Sequence, residues 1–143
     1  MLVPLTHLRT SLETFHRELD LYPVWLCPVK MFAQVGHSDV NSLNVFILQP
    51  GMLRTPSGKD EMYVDIGLYG VPRGERFDAE RTMCRLEEFV RNIGGFQMMY
   101  ADSFMTREEF REMFDHTLYD RYRSTAVLHL LPTPNVKIIN RER

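Results

Sequence analysis

The chain has 143 residues, of which 44% are apolar, 25% charged and 11% aromatic, and its formal net charge is −2. These values are typical of one globular domain with a buried core, and they exclude the strongly basic surface with which proteins bind nucleic acid or anionic membranes. No apolar run reaches the ~20 residues that span a bilayer. The cysteines, Cys27 and Cys84, form no paired motif, so we expect free thiols in a reducing compartment.

The first part of the chain is predicted to form a helix and a strand, followed by a long irregular segment. Apolar residues recur at helical spacing over residues 4–20, which predicts an amphipathic helix. Residues 22–29 favour a short strand with a proline near each end. Trp25 is interpreted as a core anchor, and a ligand contact is the less favoured alternative. Residues 30–60 are rich in Asn, Pro and Gly, so we expect an irregular loop that carries an insertion.

Residues 61–73, with the sequence EMYVDIGLYGVPR, form the most regular stretch. Apolar and polar side chains alternate along it, which predicts a half-buried strand. The face expected in the core carries Met62, Val64, Ile66 and Leu68. The opposite face carries Tyr63, Asp65, Gly67 and Tyr69. We expect this second face to meet a ligand or another domain, because its glycine permits close approach to the backbone.

The last part of the chain is predicted to form two helices with a third strand between them. Asp78 is the expected N-cap of the first helix, which the glycines at 94–95 should end. A capping box of Thr106 and Glu109 begins the second helix. The third strand is predicted at residues 96–102, and one of its faces would carry Phe96, Met98, Tyr100 and Asp102.

The order helix, strand, strand, helix, strand, helix indicates an α+β fold, in which helices cover a small, mainly antiparallel sheet. Histidines and cysteines are scattered without a metal-ligand spacing, so no metal site is predicted. The sequence also contains no nucleophile motif and no glycine-rich loop for phosphates.

The remaining candidates for chemistry are the tyrosines and aspartates of the two strands at 61–73 and 96–102. These side chains would gather on one side of the sheet if the two strands are neighbours. A phenol beside a carboxylate can donate a proton, which makes Tyr63, Tyr69 and Tyr100 candidate proton donors. The alternative, which the residues alone favour, is that each tyrosine packs its ring and each aspartate binds backbone amides. Arg107 lies in a first helical turn, where the helix dipole disfavours a cation, so we expect Asp102 to be its partner.

Several blocks of the sequence resemble the C-terminal part of the delta-24 sterol reductases, a flavoprotein family that includes the Diminuto-like plant proteins. The blocks are MLVPL, LYPVWLCP at 21–28, EMYVDIGLYGVPR at 61–73, LEEFVRNIGGFQMMYAD at 86–102 and TREEFREMFD at 106–115. Their common order makes the resemblance, which extends over residues 1–123, more specific than any short motif.

The resemblance implies that residues 1–123 are the cap and substrate region of an FAD-linked enzyme of the vanillyl-alcohol-oxidase type. In that family NADPH reduces FAD, the flavin delivers hydride to the side-chain double bond of a sterol, and a nearby acid supplies the proton. The three tyrosines become candidates for that acid. The residues expected to face the flavin or the sterol are Asp65, Gly67, Asp102 and Arg107.

The resemblance also implies that the FAD-binding domain and a membrane anchor lie outside this chain. We therefore expect little or no catalysis from the chain alone. The family implies the endoplasmic reticulum membrane as the location, whereas the segment alone is expected to be soluble and cytoplasmic.

Two segments depart from the family pattern. Residues 36–49 look longer than the family's loop, and the tail at 124–143 is divergent and a candidate for disorder. Two other functions stay open, namely a non-catalytic α+β interaction module and the cap of a flavin oxidase for another substrate, such as a sugar lactone.

Overall fold

The structure, a computed structural model, describes residues 1–32, 55, 57–72, 77–116 and 119–120. Within these ranges the chain forms a three-stranded antiparallel sheet and three α-helices. The strands are β1 (Leu2–Pro4), β2 (Val24–Met31) and β3 (Glu61–Leu68). The helices are α1 (Leu8–Leu19), α2 (Ala79–Asn92) and α3 (Arg107–Met113). The predicted α+β class is confirmed, although the chain enters the fold through a strand and not through a helix.

The central strand is β3, which pairs with β1 on one side and β2 on the other. The strand predicted from alternation therefore exists, and it ends at Leu68, before the turn expected at VPRG. Gly70 follows with a φ of 149°, a conformation that favours glycine and turns the chain out of the sheet.

The third strand of the sheet is β1, so the strand predicted at residues 96–102 is wrong. Phe96 forms only an isolated antiparallel bridge with Leu2, and the residues after it turn away. The bridge has two hydrogen bonds, from Leu2 N to Phe96 O at 2.7 Å and from Phe96 N to Leu2 O at 2.8 Å. Residues 96–102 cannot pair with β3, because β1 and β2 already occupy both of its edges. The sequence did not predict β1, because a strand of three residues is too short to show periodicity.

The helix predicted at residues 4–20 begins later than expected. Residues Leu5–His7 form a short 3-10 helix, and the α-helix runs over Leu8–Leu19. Pro4 has a φ of −57°, which suits the last position of an edge strand as well as the first turn of a helix.

The two faces of β3 are buried differently from the prediction. Val64 and Ile66 are buried as expected, and Ile66 belongs to the core together with Phe15 of α1. Met62, however, is exposed, and Tyr63 on the opposite face is fully buried. Tyr63 is covered because the ring of Phe96 lies against it, with 5.8 Å between the ring centroids.

The ends of α2 and α3 match their predicted capping residues. Asp78 Oδ1 accepts a hydrogen bond from Arg81 N at 3.0 Å, and Gly94 ends the turn with a φ of 70°. At α3, Thr106 Oγ1 accepts from Glu109 N at 3.2 Å, while Glu109 Oε2 accepts from Thr106 N at 2.7 Å. Both bonds of the capping box are therefore present.

The predictions for most of residues 30–60 and for the tail at 124–143 lie outside the described residues. The described part ends before the tail and contains only residues 30–32, 55 and 57–60 of the loop.

Candidate functional site

One face of the sheet is covered at the Tyr63 end and exposed at the other end. The exposed end, which we call the aromatic face, consists of Trp25, Asp65, Gly67, Tyr69 and Tyr100. Trp25 lies directly opposite Gly67 across β2 and β3, and residues paired in this way share a face of the sheet. The structure therefore brings four of the predicted residues together and adds the tryptophan.

Tyr69 and Tyr100 form a polar pair on the aromatic face. They are 66% and 71% exposed. A side-chain hydrogen bond to Tyr69 is the main cause that raises the pKa of Tyr100, and the charge of Asp65 contributes. A phenol hydroxyl can both donate and accept, so either tyrosine can be the donor in this contact. The raised pKa favours the protonated form of Tyr100.

Gly67 gives room to a side chain of the chain itself. A Cβ atom built on Gly67 would lie 3.4 Å from Tyr69 Cε2 and 3.6 Å from Trp25 Cβ. The close approach that the glycine predicted is thus made by the ring of Tyr69, which lies over the strand.

Asp65 is half-buried at the margin of the aromatic face. Its Oδ1 atom lies 3.0 Å from the ammonium of Met1, which also donates to the carbonyl oxygen of Ile66 at 2.9 Å. The carboxylate is therefore held in place at the side of the Tyr69–Tyr100 pair.

Tyr63 does not join the aromatic face, although it lies on the same side of β3. Its hydroxyl donates to the carbonyl oxygen of Gly94 at 2.9 Å, and the residue has no exposed surface. Burial, followed by the charge of Glu61, raises the pKa of Tyr63 to about 12. In this chain Tyr63 is a core residue whose proton is committed to the backbone.

Asp102 and Arg107 are both exposed, and among the described residues no ion pair joins them. The predicted pair is therefore wrong. Glu87 of α2 anchors the residues between them, because its Oε1 atom accepts hydrogen bonds from Phe104 N at 2.9 Å and Ser103 Oγ at 3.2 Å. Asp102 contributes its backbone carbonyl oxygen, which accepts from Gln97 Nε2 at 2.8 Å.

Two residues of this region were not identified from the sequence. Trp25 was expected in the core, but it is 61% exposed. Its alignment with Gly67, which would reveal the exposed side of the sheet, depends on strand register. Glu87 is 1% exposed, and nothing distinguishes it in the sequence from the exposed Glu88 that follows it.

A concave region lies between α1 and β2, on the face of the sheet opposite the aromatic face. It is a groove of about 640 Å³, and apolar side chains such as Phe15, Val24 and Leu68 line most of it. At its rim, the hydroxyl of Tyr22 lies 2.9 Å from His16 Nδ1. Its size is within the range of about 300–1,000 Å³ for small-molecule sites, but it presents few polar groups.

Within the described ranges, no three His, Cys, Asp or Glu side chains group in a way that could hold a metal ion. None of the helices in those ranges is both long enough and apolar enough to cross a membrane.

Comparison with known proteins relates this geometry to a family. The chain is 44% identical to a delta(24)-sterol reductase homolog of Caenorhabditis elegans over 126 residues, and these aligned residues make up 88% of this chain. It is 45% identical over 125 residues to the delta(24)-sterol reductase of Homo sapiens and 36% identical over 127 residues to that of Arabidopsis thaliana, covering 86% of this chain in each case. This chain is a relative of the delta(24)-sterol reductases. The resemblance that the sequence blocks indicated is thereby confirmed.

The delta(24)-sterol reductases in this comparison are much longer than the chain. The aligned region covers 21% of the nematode and human proteins and 22% of the plant protein. The chain therefore corresponds to about one fifth of a delta(24)-sterol reductase. No family model and no solved structure matches the chain.

Proposed function

We propose that this chain is the cap and substrate region of an FAD-dependent delta-24 sterol reductase, and that its aromatic face is turned toward the flavin and the sterol. The observation that carries the proposal is the 44–45% identity to delta(24)-sterol reductases over 86–88% of the chain. The exposed aromatic face supports it, because large exposed aromatic side chains on a soluble fold mark a surface that binds a ligand or partner.

Reduction of a carbon–carbon double bond adds a hydride to one carbon and a proton to the other. FAD, once reduced by NADPH, would supply the hydride when it is bound. The chain would supply the proton. We assign Tyr69 as the donor, since its ring lies over Gly67 on the exposed end of the face and the raised pKa makes Tyr100 a weaker acid than an ordinary phenol. Tyr100 would orient the Tyr69 hydroxyl and remain protonated because its pKa is raised.

The residues present fit the ring end of a flavin and not its phosphates. Trp25, Tyr69 and Tyr100 present aromatic surface that can lie against a planar ring system. The sequence contains no glycine-rich loop that could bind the diphosphate. We therefore assign the binding of FAD to the remainder of the reductase, and the family's location in the endoplasmic reticulum membrane belongs to the same proposal.

The proton-donor role can be tested in a full-length reductase that contains this segment. We expect Tyr69→Phe to lower kcat by about 100-fold or more, because a positioned general acid contributes about 10²–10⁴-fold. Tyr100→Phe should lower kcat less, since it removes only the orienting hydrogen bond. Tyr22→Phe is the matched control, an exposed tyrosine outside the aromatic face, and it should leave kcat unchanged. Unchanged turnover in both Tyr69→Phe and Tyr100→Phe would refute the assignment.

The assignment of the cofactor to the remainder of the reductase has its own test. Mixing the purified chain with FAD should leave the visible absorption spectrum of the flavin unchanged. A shifted or bleached spectrum would show that the chain binds flavin by itself, which contradicts the proposed division.

A further inference from the structure

A carboxylic acid is buried beneath the segment that carries Tyr100. Glu87 on α2 is only 1% exposed, and Gln97, which follows the end of the helix, is 3% exposed. A carboxylate in such a place is costly unless donors satisfy both of its oxygens. The hydrogen bonds around Glu87 therefore decide its protonation state.

Only one of the two carboxyl oxygens of Glu87 has donors. Oε1 accepts from Phe104 N and from Ser103 Oγ. Oε2 has no partner, and the side-chain oxygen of Gln97, Oε1, is likewise buried without one. The Gln97 side chain lies close enough to interact with the Glu87 carboxyl, so two acceptor atoms without donors belong to neighbouring side chains.

The orientation of the Gln97 amide is set by its other contact. Its nitrogen donates to the carbonyl oxygen of Asp102 at 2.8 Å. Turning the amide over would offer a donor to Glu87 but would place an oxygen against the Asp102 carbonyl. One additional proton between Glu87 and Gln97 satisfies every oxygen without that conflict.

The charged groups around Glu87 do not favour its ionised form. Arg91, one turn later on α2, is directed to α3, where it pairs with Glu109 at 3.5 Å and Glu112 at 3.0 Å. Glu109 also adds a like charge. Burial is the main cause that raises the pKa of Glu87, and the hydrogen bonds that its Oε1 atom accepts from Phe104 and Ser103 oppose it. The cavity next to Glu87 is lined by Arg91 and Glu109, which pair with each other, and also by Cys84 and Glu88, neither of which is a cation.

We propose that Glu87 is a protonated carboxylic acid in the folded chain, and that its Oε2–H group donates to Gln97 Oε1. Glu87 would then bind residues 103–104 through one oxygen and Gln97 through the other. Gln97 in turn holds the Asp102 carbonyl, so both ends of the loop that presents Tyr100 are fixed to α2. Glu87 is thus a positioning residue for Tyr100. The inference rests on the chain's own contacts and not on the proposed reductase activity.

The proposal predicts a pH dependence that Glu87→Gln removes. Glutamine has the same shape as a neutral glutamic acid and can accept from Phe104 and donate to Gln97. The pKa of Glu87 in the folded chain is raised above its ordinary value of 4.5. The stabilisation that protonated Glu87 gives to the fold is therefore complete below pH 4.5, and it is lost as the pH rises through the pKa of the folded state. Over that range the unfolding equilibrium constant of the wild type, divided by that of Glu87→Gln, should increase by up to about tenfold per pH unit.

The measurement is urea denaturation of both proteins across pH, with Glu88→Gln as the control at the adjacent, exposed position. The control ratio should stay flat. In a carbon-13 NMR titration, the carboxyl signal that disappears in Glu87→Gln should titrate above the range of the exposed glutamates. The competing arrangement is an ionised Glu87 that takes a donor from a water molecule in the adjacent cavity of about 50 Å³. A flat wild-type ratio above pH 4.5, or a signal that titrates at or below the ordinary glutamate value, would overturn the proposal.

Discussion

At the scale of single residues, Tyr63 and Tyr69 show how position decides the role of a side chain. The two tyrosines lie on the same face of the sheet, yet Tyr63 is fully buried and Tyr69 is 66% exposed. The difference lies in what covers them, because Phe96 and Gly94 contact Tyr63, whereas Tyr69 follows the end of β3 and lies over Gly67. A tyrosine of this sheet is therefore a candidate for chemistry only where residues 94–96 do not cover it.

Tyr63→Phe should destabilise the fold by about 1–2 kcal/mol, because the substitution removes the part-buried hydrogen bond that the Tyr63 hydroxyl donates to the carbonyl oxygen of Gly94. Urea denaturation near neutral pH measures this difference. Tyr22→Phe removes an exposed hydroxyl and should change the free energy of unfolding by less than about 0.5 kcal/mol. Equal effects of the two substitutions would show that the Tyr63 hydroxyl does not stabilise the core.

The raised pKa of Tyr63 predicts a loss of stability at high pH. The phenol has a pKa of about 12 in the fold and an ordinary value of 10.0 when unfolded. Its stabilisation is complete below pH 10.0 and is lost as the pH rises through about 12. The difference in unfolding free energy between wild type and Tyr63→Phe should therefore shrink over this range in denaturation experiments. A constant difference would contradict the burial of the hydroxyl.

At the scale of elements, the junction between α2 and β1 depends on close packing at Gly95. The backbone carbonyl of Leu2 lies against this glycine, and the adjacent Phe96 forms both hydrogen bonds of the bridge to Leu2. Because β1 has only three residues, this bridge and its pairing with β3 are the backbone contacts that hold it in the sheet.

Gly95→Ala should destabilise the fold by about 1–3 kcal/mol, as overpacked core positions do. A Cβ atom there would lie 2.6 Å from Leu2 O and 2.8 Å from Val90 Cγ1, so the backbone must shift. Gly67→Ala is the matched control, since its Cβ meets no atom closer than 3.4 Å. Thermal or urea denaturation of both variants tests the expectation, and a Gly95→Ala protein as stable as the control would show that the junction is looser than described.

At the scale of the whole molecule, the described fold leaves large aromatic side chains uncovered. Trp25, Tyr69 and Tyr100 contribute to a face that another part of a delta-24 sterol reductase would cover under the proposed function. The chain corresponds to about one fifth of its relatives, so a partly uncovered surface agrees with that proposal.

Trp25 is the only tryptophan in the sequence, so its fluorescence reports on the aromatic face directly. We expect iodide to quench the emission of the folded chain almost as well as that of the unfolded chain, because the indole is 61% exposed. Trp25→Phe should abolish the signal and leave the free energy of unfolding within about 0.5 kcal/mol of the wild type. Strong protection from iodide in the folded chain would show that Trp25 is buried in the core, as the sequence first indicated.

The sequence by itself determined the features that arise from neighbours along the chain. The N-cap at Asp78, the capping box of Thr106 and Glu109, and the turn at Gly94 were all predictable, because each depends on hydrogen bonds or backbone freedom within one turn. Alternation identified β3, and the order of several sequence blocks identified the family.

Only the tertiary structure decided which residues meet across the chain. It placed β1 at the edge expected for residues 96–102, covered Tyr63, exposed Trp25 and buried Glu87. These outcomes depend on strand register and on contacts between distant segments, neither of which leaves a local pattern. The aromatic face exists because the cover from residues 94–96 ends at Tyr63 and leaves the far end of the sheet open.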